Sequence, residues 1–407
     1  MSVKTGFIGV QNQDLGLDYL TVYDYPILDQ YAASGTLWTW GNNQSGQLGT
    51  TPTVLLAKLS SPVQTIAGGT NWVQISGGGL AFSGIKNDGT LWLWGFNDSG
   101  CLGDGTTVDK SSAVQTIAGG TNWKQVSLAG RQTGSVKTNS TLWTWGRNDF
   151  GQLGDNTTLF RSSPVQTIAG GTNWKQICMC GPHTMALKID GTLWTWGQNT
   201  KGALGDNTTV SRSSPVQTIA GGTDWVFVAG GAPGPSYSSS AAIKNNGTLW
   251  TWGSNAYGQL ATNNNIDQSS PVQTIAGGTN WRQVSMIADG FGTNLNYGWS
   301  AGIKTDGTLW TWGRNNFGQL GDNTTISKSS PVQTIAGGTN WKQVVCEQIG
   351  GGAVKTDGTL WSWGANNYGN IGNNNITNYS SPVQTVATGV YWKQIASNQG
   401  SNAGITY

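Results

Sequence analysis

The stretch 306–321, Asp-Gly-Thr-Leu-Trp-Thr-Trp-Gly-Arg-Asn-Asn-Phe-Gly-Gln-Leu-Gly, is one of seven related copies along the chain. Its centre, Leu-Trp-x-Trp-Gly, recurs with its first tryptophan at Trp38, Trp92, Trp143, Trp194, Trp250, Trp310 and Trp361. A second marker, a single tryptophan further along each copy, falls at Trp72, Trp123, Trp174, Trp225, Trp281, Trp341 and Trp392. The two motifs hold every tryptophan except Trp299. A spacing of about fifty residues is typical of repeat architectures.

Each copy is predicted to contain four short strands. In the copy quoted these are 301–304, 308–312, 331–335 and 341–344, and the Asp306-Gly307 turn favours a hairpin between the first two. Seven units of four antiparallel strands predict an all-β, seven-bladed β-propeller. The framework tryptophans are then expected to pack between neighbouring blades, since burying one indole removes roughly 150–250 Å² from water.

The two ends of the chain indicate how the ring closes. The first copy begins in mid-unit at 35–38, with no ordinary first strand before it, whereas 402–406 matches the first-strand pattern of 300–304. We therefore expect the C-terminal strand to complete the first blade, which leaves no open edge. The predicted domains are a non-repeat segment, 1–33, and the propeller, 34–407.

The composition disfavours several classes of function. Charged residues make up 10% of the chain and the formal net charge is +2, which gives no electrostatic case for nucleic acid or an anionic membrane. The single histidine, His183, excludes a His-rich metal site, and we expect no enzyme activity, cofactor or metal. The four cysteines are interpreted as reduced thiols, and the repeated lysines as solvated edges. We expect neither a secretory signal nor a membrane-spanning segment.

The segment Trp-Gly-Asn-Asn-Gln-Ser-Gly-Gln-Leu-Gly at 40–49 recurs in similar form at 145–154 and 312–321. Together with Gly-Pro-His-Thr-Met-Ala-Leu at 181–187, it resembles the RCC1 repeat, and the resemblance covers roughly 34–407. It implies a propeller fold. The near-identical copies of Ser-Ser-Pro-Val-Gln-Thr-Ile-Ala-Gly-Gly-Thr-Asn-Trp are similar to those of RCC1-like proteins of bacteria and their phages.

The best-known activity of that family is not expected here. Eukaryotic members exchange nucleotide on the GTPase Ran and dock on nucleosomes with a basic tail, and this chain has no such tail. The family's histidine is present only at His183. By analogy with the phage proteins, the resemblance implies a surface, adhesive or virion-associated role.

A binding site is predicted on the face where the most variable loops emerge. The candidate residues are Phe96, Arg147, Arg314, Tyr237, Phe291, Asn294, Tyr297 and Trp299. The last five lie in two extended connections, 230–240 and 286–300, and exposed aromatic side chains beside Asn suit sugar or protein partners. The alternative is that these insertions plug the central channel or vary neutrally.

The segment 1–33 is rich in tyrosine and aspartate, with Tyr19, Tyr23, Tyr25 and Tyr31 as candidate anchor residues. It is interpreted either as an attachment segment for a larger assembly or as a cap on its own propeller. The leading hypothesis is a non-enzymatic propeller of a phage or virus particle that binds other structural proteins and recognises a host-surface glycan or protein. The alternatives are a bacterial carbohydrate-binding or adhesion module, in the cytoplasm or at the cell surface, and an enzyme that uses paired aspartates.

Overall fold

The computed structural model describes residues 34–50, 58–231, 237–287, 298–387 and 390–407. These residues form seven antiparallel sheets of four strands, so the predicted seven-bladed propeller is confirmed. No helix within the described ranges is long and apolar enough to cross a membrane.

The blades are numbered from the one that joins the two ends of the chain, and their strands are given from the innermost outward. Blade 1 contains β27 (Trp392–Ser397), β28 (Ser401–Thr406), β1 (Leu37–Gly41) and β2 (Leu59–Gln64). Blade 2 contains β3 (Trp72–Gly78), β4 (Ala81–Lys86), β5 (Leu91–Gly95) and β6 (Lys110–Gln115). Blade 3 contains β7 (Trp123–Ala129), β8 (Gln132–Lys137), β9 (Leu142–Gly146) and β10 (Arg161–Gln166).

The remaining blades follow the same order. Blade 4 contains β11 (Trp174–Met179), β12 (His183–Lys188), β13 (Leu193–Gly197) and β14 (Arg212–Gln217). Blade 5 contains β15 (Trp225–Gly231), β16 (Ser239–Lys244), β17 (Leu249–Gly253) and β18 (Gln268–Gln273). Blade 6 contains β19 (Trp281–Met286), β20 (Trp299–Lys304), β21 (Leu309–Gly313) and β22 (Lys328–Gln333). Blade 7 contains β23 (Trp341–Cys346), β24 (Gly350–Lys355), β25 (Leu360–Gly364) and β26 (Tyr379–Gln384).

The blade is offset by one strand from the repeat read in the sequence, which corrects that prediction. The strand expected to end each repeat is the innermost strand of the following blade. Trp341, for example, donates its backbone N–H to the Gly307 carbonyl of blade 6 at 3.0 Å, and β23 then pairs with β24 of blade 7. The turn before each innermost strand therefore carries the chain from one blade to the next. The seven innermost strands contact one another in a closed ring around a central channel.

Blade 1 closes the ring with strands from both ends of the chain. Strand β28 pairs with β1 in the register Leu37↔Ile405 to Gly41↔Ser401, and on its other side with β27. The predicted closure by the C-terminal strand is confirmed. The structure extends it, because both inner strands of blade 1 come from the end of the chain and both outer strands from its beginning.

Two kinds of connection emerge on the same face of the ring, here called the loop face. In blade 2 these are the β3–β4 and β5–β6 connections, which meet where Phe96 donates its N–H to the Leu80 carbonyl at 3.0 Å. The prediction from the sequence that both kinds of connection emerge on one face is therefore confirmed. The connections expected to run between blades, however, join the two inner strands of a single blade.

The second tryptophan of each Leu-Trp-x-Trp-Gly motif packs in the interface between neighbouring blades. Trp145 is completely buried, and its indole N–H donates to the Cys101 carbonyl of blade 2 at 2.8 Å. The equivalent indole of every blade donates to a backbone carbonyl of the preceding one, through Trp40, Trp94, Trp145, Trp196, Trp252, Trp312 and Trp363. Each such residue contributes buried apolar area together with a satisfied polar group.

The repeated lysines are not solvated edges, which corrects the prediction from the sequence. Lys304 ends β20, and its Nζ lies 5.0 Å from the ring centre of Trp281 and 4.6 Å from that of Trp310. Six lysines lie over two indoles in this way: Lys86, Lys137, Lys188, Lys244, Lys304 and Lys355. An ammonium group over an indole face is stabilised by the ring quadrupole by about 0.5–1 kcal/mol. These lysines therefore help to hold the first tryptophan of the motif in place in blades 2 to 7, whereas blade 1 has Thr406 at the equivalent position.

Glutamine side chains tie the innermost strands together. Gln125 of β7 donates from Nε2 to the Ile177 carbonyl at 2.8 Å, and its Oε1 accepts the Ile177 N–H at 2.9 Å. Six blades carry a glutamine that donates to a carbonyl of the next blade: Gln74, Gln125, Gln176, Gln283, Gln343 and Gln394. The backbone N–H of the next blade donates back to Gln74, Gln125, Gln283, Gln343 and Gln394. Blade 5 has Phe227 at this position. The amide pairs replace the missing hydrogen bonds between innermost strands, which belong to different sheets.

We expect Gln125→Ala to lower the free energy of unfolding by about 2–3 kcal/mol, because it leaves one buried N–H and one buried carbonyl of Ile177 without a partner. Urea denaturation of the full chain measures the change. Gln115→Ala, at an exposed position of the outermost strand β6, is the matched control and should change stability by less than about 0.5 kcal/mol. Equal losses in the two variants would contradict the role of the amide pair.

Candidate functional site

The loop face of blades 2 and 3 brings together two of the predicted binding residues. Phe96 follows β5 and is half-buried, and the guanidinium carbon of Arg131 lies 4.9 Å from the centre of its ring. Arg131 stands in the short connection between β7 and β8, and it forms an ion pair with the exposed Asp98. The aromatic ring is therefore covered by a cation from the next blade.

Arg147 adjoins the same group. Its backbone N–H donates to the Arg131 carbonyl at 2.9 Å, and its guanidinium forms an ion pair with the exposed Asp149. Phe96, Asp98, Arg131, Arg147 and Asp149 are together called the arginine patch. It combines one aromatic ring with two arginines and two carboxylates, so its net charge is zero. Such a patch can offer guanidinium donors and carboxylate acceptors, together with the uncovered part of one aromatic ring, to one partner.

Arg314 lies elsewhere on the loop face. It is half-buried in blade 6, with its guanidinium carbon 5.0 Å from the ring centre of Tyr257 of blade 5. Blade 4 separates this pair from the arginine patch. The structure thus divides the predicted Phe96, Arg147 and Arg314 between two locations.

Trp299 is not a surface residue, which corrects its assignment to the binding loops. It is the first residue of β20, it is buried, and its indole N–H donates to the Glu347 carbonyl at 2.8 Å. Tyr237 is half-buried just before β16. Phe291, Asn294 and Tyr297 lie outside the described residues, as do Tyr19, Tyr23, Tyr25 and Tyr31 of the predicted anchor.

Sequence reasoning missed Arg131, which joins the other members of the patch. It falls in a two-residue turn, Gly130-Arg131, between framework strands, where the repeat pattern draws no attention to it. The sequence does contain one signal. Arg131 is a basic residue at a turn position where the neighbouring blades have Leu80 (blade 2) and Pro182 (blade 4).

The single histidine is placed in the framework. His183 is completely buried, and its Nε2 lies 2.9 Å from the Ser240 hydroxyl of the next blade. Burial lowers the pKa of His183 to about 3, so the ring is uncharged at neutral pH. The described residues include no group of three His, Cys, Asp or Glu side chains that could hold a metal ion.

Glu347 is the one glutamate of the chain, and it is buried where blade 7 meets blade 1. Its Oε1 accepts a hydrogen bond from Asn402 Nδ2 at 2.5 Å, and its Oε2 accepts one from Asn370 Nδ2 at 2.8 Å. Asn402 belongs to β28, so the Glu347 carboxyl group is hydrogen-bonded to the strand that closes the ring. Burial raises the pKa of Glu347 to about 7, although hydrogen bonds from Asn402, Asn370 and Ser397 oppose that shift.

We expect the contribution of Glu347 to the free energy of unfolding to fall between pH 5 and pH 8. The total should fall above about pH 6.5, because below that value the buried His183, whose pKa is lowered to about 3, contributes a slope of opposite sign. The pKa of Glu347 is higher in the folded chain than its ordinary value of 4.5, so the folded state binds the proton more tightly. The stabilisation is complete below pH 4.5 and is lost as the pH rises through about 7, a change of at most about 3 kcal/mol.

Glu347→Gln resembles the protonated acid in shape, so we expect it to remove this part of the pH dependence and to be more stable than the wild type at pH 8. Urea denaturation at four pH values measures the effect. Asp149→Asn, which changes an exposed carboxylate, is the control and should keep the wild-type slope. A Glu347→Gln variant with the wild-type pH dependence would show that another group is responsible.

Comparison with known proteins agrees with this architecture. The family model described as RCC1-like domain matches residues 36–405. The ultraviolet-B receptor UVR8 of Arabidopsis thaliana is 29% identical over 329 residues, which cover 76% of this chain and 69% of UVR8. The E3 ubiquitin-protein ligase HERC2 of Homo sapiens is 26% identical over 357 residues, which cover 85% of this chain but 7% of HERC2.

Solved structures show the same fold at low sequence identity. Prp20p of Saccharomyces cerevisiae has a TM-score of 0.79 and 15% identity, and the match covers 95% of this chain and 94% of Prp20p. Human WBSCR16 has a TM-score of 0.76 and 18% identity, with 91% of this chain and 100% of WBSCR16 covered. Since the family model spans nearly all of the described propeller, the chain belongs to the RCC1-like domain family.

Proposed function

We propose that this chain is a non-enzymatic, protein-binding propeller that recognises its partner with the arginine patch on the loop face. The observation that carries the proposal is the convergence of Phe96, Arg131 and Arg147 from two neighbouring blades. Arginine and large aromatic side chains dominate the residues that contribute most to protein–protein binding. The backbone N–H of Arg147 is hydrogen-bonded to the Arg131 carbonyl at the ends of framework strands, which reduces the ordering cost of binding.

The charge of the patch favours a protein over a polyanion. Asp98 and Asp149 each pair with one of the two arginines, so the patch presents no excess of positive charge. A nucleic acid or an anionic membrane would require such an excess. A partner protein whose surface carries charges of both signs around an apolar centre is complementary to the arginine patch.

Proteins of the same fold bind other proteins. Prp20p has binding properties to Gsp1p and histones, and yeast RCC1 (Prp20) has been crystallised with Kap60 bound. Gsp1p, histones and Kap60 are partners of the yeast proteins in those structures, which share 15% and 14% sequence identity with this chain. They support protein recognition as the kind of function proposed and do not identify a partner for this chain.

The finer predictions from the sequence concern the setting in which the protein binds. Similarity to bacterial and phage proteins, attachment to a virus particle through 1–33, and recognition of a host glycan stay predictions. The same holds for location in the virion, the bacterial cytoplasm or the cell surface. The particles, proteins or glycans that copurify with this protein distinguish these settings from one another.

The test is affinity capture of the full chain from its own source, with three forms compared. We expect the proteins that copurify with the wild type to be lost from Arg131→Ala/Arg147→Ala and retained by Thr138→Ala. Thr138 lies just beyond β8, at the opposite end of that strand from Arg131, and is exposed. Purified particles and a glycan array, probed with the same three forms, separate the virion and carbohydrate settings. Partners retained equally by the double variant would contradict the proposed site.

A further inference from the structure

Two cysteines lie side by side at the wall of the central channel. Cys178 is near the end of β11 and is half-buried, and Cys180 follows that strand and is fully buried. Their Sγ atoms are 3.5 Å apart. Cys178 lines a channel cavity of about 130 Å³, together with the other innermost strands. Cys178 therefore faces the channel cavity, whereas Cys180 does not line it.

Cys178 stands at a position that holds a hydrogen-bond acceptor in three other blades, whereas Ala229, Val345 and Ala396 occupy it in blades 5, 7 and 1. In blades 2, 3 and 6 the equivalent residues are serines whose Oγ accepts a backbone N–H of the next blade. These contacts are Ser76 with Leu128 at 3.0 Å, Ser127 with Met179 at 2.9 Å, and Ser285 with Cys346 at 3.0 Å. In blade 4 the sulfur of Cys178 takes this place and accepts the N–H of Gly230.

The neighbouring residues make room for the second sulfur. A Cβ atom at Gly230 would lie 2.5 Å from Cys180 Sγ, so glycine is needed there for Cys180 to stand beside Cys178. Cys180 Sγ is also 3.3 Å from the Cys178 carbonyl. Two donors, the Gly230 N–H and the Cys180 thiol, thus surround Cys178, and the pKa of the Cys178 thiol is lowered by the Cys180 hydrogen bond. Hydrogen bonding to sulfur favours the thiolate, which is the reactive form.

We propose that Cys178 and Cys180 form a peroxide-reactive dithiol site in the central channel. The Cys178 thiolate attacks the outer oxygen of a hydroperoxide, which breaks the O–O bond, and the alkoxide or hydroxide leaves with a proton from solvent. Cys178 is then a sulfenic acid. The sulfur of Cys180 displaces the hydroxyl group from Cys178, and the proton of Cys180 leaves with it as water. Two thiols have become one disulfide, and the peroxide has been reduced by two electrons.

The sulfur atoms are already adjacent. Their separation of 3.5 Å must fall to about 2.05 Å when the disulfide forms. Cys180 lies just beyond the last residue of β11, in the turn before β12. Cys346 also lines the channel cavity, but neither it nor Cys101 has a second cysteine beside it among the described residues. The thiols of Cys101 and Cys346 are buried and donate to the carbonyls of Phe96 and Ser285, and burial raises the pKa of both.

The experiment treats the full chain with hydrogen peroxide under native conditions and follows intact mass and cysteine-containing peptides. We expect a product lighter by two hydrogen atoms, with a disulfide mapped to Cys178 and Cys180 and reversed by dithiothreitol. We expect Cys178 to react at least about tenfold faster than Cys346. In Cys180→Ser the reaction should stop at the sulfenic acid, which dimedone labels at residue 178.

Cys178→Ser should abolish the disulfide, and Cys346→Ser is the matched control that should leave it unchanged. Oxidation of Cys178 no faster than that of Cys346, or the same mass loss in Cys178→Ser, would overturn the proposal. The peptide map of the wild type decides the question even if Cys180→Ser does not fold. The outcome is independent of the arginine patch, because no step involves the loop face.

Discussion

Deletion of residues 402–407 is expected to leave the chain unfolded or aggregated. Strand β28 lies between β27 and β1, so its removal deprives both neighbours of their hydrogen bonds and separates the inner strand of blade 1 from its outer half. The deletion also removes Ala403 and Ile405 from the core that they share with Trp72. A typical domain is stable by about 5–15 kcal/mol, so we expect the loss of a whole central strand and its core side chains to unfold the chain.

Size-exclusion chromatography and circular dichroism of the truncated chain measure this effect. Deletion of Tyr407 alone is the matched control, because that residue follows β28 and its side chain is 62% exposed. The control is expected to elute as the wild type does. A soluble product of 1–401 with the wild-type spectrum would show that the ring does not depend on this strand.

Trp145→Ala is expected to lower the free energy of unfolding by about 3–5 kcal/mol. The indole is completely buried in the core between blades 2 and 3, so its loss leaves a cavity. It also leaves the Cys101 carbonyl without the indole N–H, although that carbonyl still accepts a hydrogen bond from Thr133. The same substitution elsewhere in the ring should have a similar cost, because each blade repeats the contact.

Trp143→Ala is the matched control, since Trp143 lies on the same strand and is half-buried. Its indole N–H donates within its own blade, to the Thr141 hydroxyl at 3.0 Å. We expect a loss clearly smaller than that of Trp145→Ala in guanidinium denaturation, with the slopes compared to establish that unfolding stays cooperative. Equal losses would contradict the assignment of the second tryptophan to the interface between blades.

The repeat made most of the fold predictable. Strand two of each copy could be located because Leu-Trp-x-Trp-Gly alternates on a pleated strand, and the Asx-Gly turn before it marks a hairpin. Closure could be predicted because 402–406 resembles a first strand that is absent at the beginning of the chain. The one-strand offset between repeat and blade could not be predicted, because the local sequence does not indicate whether the strand at Trp341 pairs with the preceding or the following blade.

The candidate site was less accessible to the same reasoning. The sequence predicts Trp299 in a loop, because this residue stands outside the tryptophan framework. In the structure it pairs with Gly313 as His183 pairs with Gly197, so it is a framework position filled by an unusual residue. Arg131 was missed because its contact with Phe96 joins two blades, and sequence spacing does not report contacts between repeats. The lysines were misread because the indoles beneath them come from two different strands.

The central claim is that one blade is assembled from the two ends of the chain, with Thr39 of β1 directly opposite Ala403 of β28. Directly opposed residues of antiparallel strands have Cα atoms about 4.5–5.5 Å apart, which suits a disulfide. The measurement is peptide mapping of the oxidised full chain carrying Thr39→Cys/Ala403→Cys, with Thr39→Cys/Ile405→Cys as the out-of-register control. The account predicts a 39–403 disulfide in high yield and little linkage in the control. Absence of the 39–403 link, or equal linkage in both variants, would contradict it.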